Sequence, residues 1–201
     1  MTPTKIMIIR HGEKPPDPPK KKGPAPLPWG VQLDGQESPK SLIVPGWQRA
    51  GALTAFFAPY QATPTNPLIA TPNHIYAASP DNETQRPFET VTPLAAWLKY
   101  EQQTPQFNTD FKVGGGEKDG EKAMVASVLS LSGVVLICWE HKNIMPNIMS
   151  AINSSVRISN YSKIPPSWPN VFYLVWVLDL AQGTYTWSFT NQNLISGDVP
   201  S

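Results

Sequence analysis

Cysteine is almost missing from this chain. Cys138 stands alone among 201 residues, which excludes a disulfide framework and a thiolate metal cluster and makes a reducing, intracellular setting the expectation. Charge of either sign is also scarce. Asp, Glu, Lys and Arg together make 15% of the sequence and leave a formal net charge of +1. Such a balance gives no electrostatic footing for nucleic acid or for an anionic membrane surface. Long hydrophobic runs are missing too, since none approaches the roughly 20 residues that span a bilayer. The opening MTPTKIMIIRHG has an apolar stretch of only Ile6 to Ile9, too short for a secretory leader, so a cytoplasmic protein is expected. The triplet Asn82-Glu83-Thr84 matches a glycosylation acceptor but carries no weight without such a leader. His, Cys and Asp do not recur at metal-ligand spacing, so no metal and no cofactor are expected.

What is present fits one folded unit. Hydrophobic residues make 40% of the chain, and a chain of this length buries roughly two-thirds of its unfolded surface. A single domain over residues 1–201 follows. Proline is the excess: 23 in all, nine of them between positions 15 and 45, beside Lys20, Lys21 and Lys22. That stretch can be neither helix nor central strand. It reads as an extended loop over 14–46, and loops of that length are functional or disordered. The lysine run reads as solvated, with attraction of an anionic ligand as its second use.

Elsewhere the pattern alternates. Residues 5–10 (KIMIIR), 75–78 and 134–139 (VVLICW) read as short buried strands. Residues 46–60, 81–100, 121–131 and 143–152 read as helices, with Pro93 kinking the second or delaying its start. Residues 102–120 read as a polar loop, and 171–179 with 184–190 as a hairpin around Gln182-Gly183. No internal repeat appears. The expectation is an α/β, three-layer α/β/α sandwich: a mostly parallel sheet, helices on both faces and a C-terminal β-hairpin. In such sheets ligands bind beyond the carboxyl ends of the strands. His11 and His141 each stand just past a buried strand there, and Arg86 follows the second strand.

Three elements in this order carry a resemblance. Arg10-His11-Gly12-Glu13 ends the first strand, Arg86 and Thr90 make R-x-x-x-T after the second, and His141-Lys142-Asn143 follows a later one. The chain resembles the histidine phosphatase superfamily, the phosphoglycerate mutase-like proteins, over roughly residues 5–152. The resemblance implies a metal-independent phosphomonoesterase in which His11 becomes phosphorylated and water then hydrolyses the phosphohistidine.

The residues can be read chemically beside that resemblance. A neutral imidazole can attack phosphorus. Arg10 and Arg86 offer forked donors to the phosphate oxygens, and a protonated His141 would add a third positive group. Gly12 would let the chain turn past the phosphate. Lys14, Lys142 and Asn143 are candidate substrate contacts, Asn143 at a helix start. Protonating the leaving oxygen needs a carboxylic acid. Asp110 and Glu140 are equal candidates, Glu117 follows, and an enzyme with none of them stays open. Lys142 stands where one branch of the family has its aspartate. Glu13 belongs to the motif and points onward with the turn. His74 reads as structural, and Trp47 and Trp139 as packing. A small phosphorylated substrate is the expected partner. A phosphomutase of the same fold and a phosphate- or phosphoprotein-binding module without turnover are the alternatives. The sequence is silent on oligomeric state.

Overall fold

The computed structural model describes residues 2–17, 27–80, 84–101 and 106–198. Lys20 to Lys22, Asn82 and Glu83 lie outside the described residues. Strand β1 (Lys5–Arg10) is the axis of the molecule and is buried from Ile6 onward. The two-residue strands β2 (Gly30–Val31) and β3 (Glu37–Ser38) pair with each other within the proline-rich segment. Helix α1 (Val44–Phe57) carries Pro45 in its first turn, where a missing N–H costs no hydrogen bond. The later part of the proline-rich segment is held against it: Val31 N donates to Leu42 O at 2.9 Å and Trp47 Nε1 to Val31 O at 2.8 Å. Strand β4 (His74–Ala77), helix α2 (Arg86–Tyr100) and a short strand β5 (Gln106–Asn108) follow. Pro93 sits inside α2, whose start is set instead by Pro87 in the first turn.

Helix α3 (Glu121–Leu129) leads to β6 (Val134–Trp139). Beyond β6 the expected single helix over 143–152 is three pieces: α4 (His141–Asn143), a π-helical stretch Ile144–Met149, and α5 (Ser150–Ser155). Pro146 lies in the widened stretch and has no N–H to close an α-helical turn. Strands β7 (Leu174–Ala181) and β8 (Thr184–Asn191) complete the chain's regular elements.

The six-stranded sheet runs β5-β4-β6-β1-β7-β8. The pairings β1–β6, β4–β6 and β4–β5 are parallel, while β1–β7 and β7–β8 are antiparallel. The sheet is therefore mixed, where a mostly parallel one was expected. Gln182 and Gly183 explain the β7–β8 pairing: both have positive φ, 50° and 74°. A two-residue turn of that shape joins antiparallel strands only, because a parallel return needs a long crossover.

Alternation along the strands sorts the core. Met7 and Ile9, with Leu136, Cys138, Val175 and Val177, meet Leu53 and Phe57 of α1 and Val91, Leu94 and Leu98 of α2. Ile6 and Ile8, with Val135, Ile137, Trp139 and Trp176, meet Met124, Val125 and Val128 of α3 and the 144–152 segment. Each fully buried aliphatic or aromatic side chain contributes roughly 1.5–3 kcal/mol. β1 is thus packed on both faces and bonded on both edges, which makes its carboxyl end a stiff mount.

Candidate active site

β1 and β6 run side by side in register, with Arg10 opposite Trp139. The next residues of each, His11 and Glu140, therefore emerge together, and His11 N donates to Trp139 O at 3.3 Å. One residue further, Gly12 N donates to Thr90 Oγ1 at 2.8 Å, and Thr90 Oγ1 donates to Arg86 O at 2.7 Å. The threonine of R-x-x-x-T is thus the tie between the His11 loop and the helix that carries Arg86.

Gly12 has a different role from the one expected. Its φ is not in the left-handed region. A Cβ on Gly12 would come within 3.1 Å of Gly46 O, and one on Gly46 within 2.5 Å of Glu13 O. The two glycines let the loop lie directly on the first turn of α1. Glu13 turns away from the site, as expected, to Arg49. Arg49 Nη2 lies 2.6 Å from Glu13 Oε1 and 2.6 Å from Asp198 Oδ1.

His11 is completely buried. Its Nδ1 lies 2.7 Å from Gly12 O and its Nε2 lies 3.2 Å from Glu140 Oε2. Both contacts can be hydrogen bonds only if the ring is an imidazolium. Burial works against that charge, and although Glu140 favours it, the His11 pKa is lowered. A neutral ring that keeps the shorter bond, from Nδ1–H to the Gly12 carbonyl, turns Nε2 into the acceptor, and a charged ring donates from Nε2 to Glu140 as well.

Burial alone would raise the Glu140 pKa. The His11 hydrogen bond and the positive charge of His11, His141 and Arg86 outweigh it and bring the value to about 2. His141 Nδ1 stands 2.8 Å from Glu140 Oε1, without hydrogen-bond geometry. Burial and the Arg10 charge hold His141 down at about 4. At neutral pH the ring is therefore uncharged, and it adds a positive group only when protonated.

Arg10, Arg86, Glu140 and His141 line one cavity of about 660 Å³. Arg10 Nη1 donates to Asn170 Oδ1 at 3.3 Å and to Val171 O at 3.5 Å, and Arg86 Nη1 donates to Pro39 O at 3.4 Å. Burial lowers both guanidinium pKa values, yet arginine stays charged. The Nε atoms of both arginines are buried without a partner. Two charged arginines with buried, unsatisfied Nε donors on one cavity wall are the geometry of an anion site, whereas His11 is completely buried behind that wall and does not itself line the cavity.

No family model matches the chain, and no curated protein matches it. The resemblance to histidine phosphatases rests on the residues just described and on their convergence.

The other candidates divide. Lys14, Lys142 and Asn143 line the same cavity. Lys14 is ion-paired to Asp17, and Asn143 Nδ2 donates to Glu121 Oε1 at 2.8 Å. Asp110 is not brought to the cavity: it is exposed and its Oδ2 accepts from Asn108 Nδ2 at 2.9 Å. Its place just after β5 turns it to solvent. Glu117 lines a separate cavity beside α3 and α5. Of the candidate acids, Glu140 is the one that lines the cavity, because β6 has ended at Trp139 and strand alternation no longer governs it.

Sequence reasoning missed Asn170 and Phe172, which also line the cavity. They precede β7, which begins at Leu174, in a segment with no motif to mark it. It also missed that His11, Glu140 and His141 form a possible metal trio, their ligand atoms lying within 4.8 Å of one another. His11 is far from the other two in sequence, so no spacing could reveal the trio. Arg10, Arg86 and Lys142 face the same cavity. With Lys14 they outnumber the two carboxylates that line it, Asp17 and Glu140, and leave a positive field that favours an anion over a dication.

Proposed function

We propose that this chain is a single histidine phosphatase-like, three-layer α/β domain: a phosphomonoesterase that acts on a small phosphorylated substrate in the cytoplasm through a phosphohistidine on His11. The observation that carries the reading is the pair of unsatisfied Nε donors of Arg10 and Arg86, on the cavity that Glu140, the partner of His11 Nε2, also lines.

The phosphoryl group enters the cavity beside the two guanidinium groups, and Glu140 turns off Nε2 toward the ester oxygen, which opens the buried His11 to phosphorus. The Nε2 lone pair forms the N–P bond while the P–O ester bond breaks. The leaving oxygen takes a proton from Glu140, whose carboxyl received it from the substrate monoanion; a phosphomonoester holds that proton below about pH 6. Water then attacks phosphorus and gives a proton to Glu140. The N–P bond breaks, Nε2 regains its lone pair and phosphate leaves. Arg10 and Arg86 hold the equatorial oxygens through both steps, each charged hydrogen bond contributing about 1.5–3 kcal/mol.

The test is p-nitrophenyl phosphate hydrolysis without added metal, beside His11→Ala. Turnover is expected, fastest below about pH 6, and lost in His11→Ala. No turnover between pH 4 and 9 overturns the enzyme, and turnover that survives His11→Ala overturns the mechanism. The depressed Glu140 pKa favours one second reading, a phosphate-binding module without turnover. Tight phosphate binding without hydrolysis would select it.

A further inference from the structure

Arg10 is held by one short segment. Trp168 is buried and packs on Trp176, ring centroids 4.7 Å apart. Trp168 Nε1 donates to Val171 O at 3.2 Å, the same carbonyl that Arg10 Nη1 approaches at 3.5 Å. That bond anchors the backbone just before Phe172. The Arg10 guanidinium carbon sits 4.0 Å from the Phe172 ring centroid, and the His11 ring centroid lies 6.0 Å from it at 52°. One phenyl ring therefore touches both the presumed phosphate clamp and the nucleophile.

The polar contacts of Arg10 are weak by comparison. At 3.3 and 3.5 Å they exceed the usual N–H···O range. A guanidinium held over an aromatic face away from water is in the stronger range of cation–π contacts. Neither polar contact uses Nε, so the Phe172 ring is the further contact that can steady the guanidinium and aim its unpartnered Nε.

We propose that Phe172 is a positioning residue that holds Arg10 flat and aims it, with His11, at a bound phosphoryl group. The inference rests on the phosphate reading of the cavity. It predicts that losing the ring face weakens phosphate recognition while the fold stays intact.

The experiment uses the full chain and its Phe172→Leu and Phe172→Tyr variants. Binding of inorganic phosphate is followed by calorimetry and p-nitrophenyl phosphate hydrolysis by kinetics. Phe172→Leu should weaken phosphate binding and lower kcat/KM about tenfold, equivalent to about 1.4 kcal/mol. Phe172→Tyr keeps the ring and should stay within about twofold, as a cation–π role requires. In an Arg10→Gln background, Phe172→Leu should change phosphate binding less than about twofold, because contacting residues are non-additive. A merely structural role gives the same loss in both backgrounds and overturns the inference. Wild-type turnover with Phe172→Leu unchanged overturns it as well and leaves the phosphatase reading standing. Phosphate binding that Phe172→Leu weakens, in a protein without turnover, supports the inference and overturns the enzyme. A wild type that neither hydrolyses nor binds phosphate overturns both.

Discussion

Thr90→Val keeps the side-chain shape and removes one oxygen. That oxygen accepts from Gly12 N at 2.8 Å and donates to Arg86 O at 2.7 Å, and Thr90 is completely buried. Arg86 O retains its backbone partner within α2, so its loss is small. Gly12 N–H is left buried and unpaired, which costs about 1–3 kcal/mol. With a urea m-value of about 2–3 kcal/mol per M, the unfolding midpoint should fall by roughly 0.5–1 M. Activity should suffer more than stability, because the Gly12 bond places His11 relative to Arg86. A shift of about 1 Å at reacting groups can cost about 100-fold in rate. Urea titration and p-nitrophenyl phosphate kinetics of Thr90→Val beside Thr90→Ser are the assay. Thr90→Ser keeps the oxygen and should stay close to wild type in both. A Thr90→Val protein as stable and as active as Thr90→Ser refutes the claim that this oxygen couples the two halves of the site.

Arg49→Met should cost about 3–5 kcal/mol at pH 7, since it strands Glu13 and Asp198 beside Gln192 in a site where Arg49 is 1% exposed. That deficit should shrink as pH falls and the stranded carboxylates take up protons, and urea titration at pH 7 and pH 4.5 checks both. His141 makes stability depend on pH: its folded pKa is about 4 against roughly 6.5 unfolded. Between those values the unfolded chain binds more protons, so stability present above pH 6.5 is lost as pH falls toward 4. His141→Gln should flatten the thermal midpoint over that window, and an unchanged slope refutes the assignment. Glu140→Gln should lower kcat roughly 100-fold or more for alkyl phosphates, where the leaving group needs a proton, and less for p-nitrophenyl phosphate. Asp110→Asn should change neither, and the reverse pattern would make Asp110 the acid.

The sequence alone determined the local chemistry. The buried runs at 5–10 and 134–139 became β1 and β6 with those bounds, because four or more consecutive apolar residues bordered by polar ones have few other places to go. Gln182-Gly183 encoded its hairpin through the positive φ that such a turn needs. The order of Arg10-His11, Arg86 and His141 along the chain pointed to strand ends, where side chains can converge.

Tertiary structure decided what no spacing carries. β7 lies antiparallel beside β1, and pairing between strands so distant in sequence is set by the whole core. β5 was read as loop, since three residues of a short parallel edge strand show no period. Glu140 displaced Asp110 as the carboxylate at the nucleophile because β6 ends one residue earlier, and only coordinates fix where a strand stops. The charge of His141 depended on burial beside Arg10, a field and not a motif. Phe172 reached Arg10 from 162 positions away through the Trp168 anchor. In IIRHGEKPP the chain places the proposed nucleophile at a strand end, and folding alone supplies the groups that surround it.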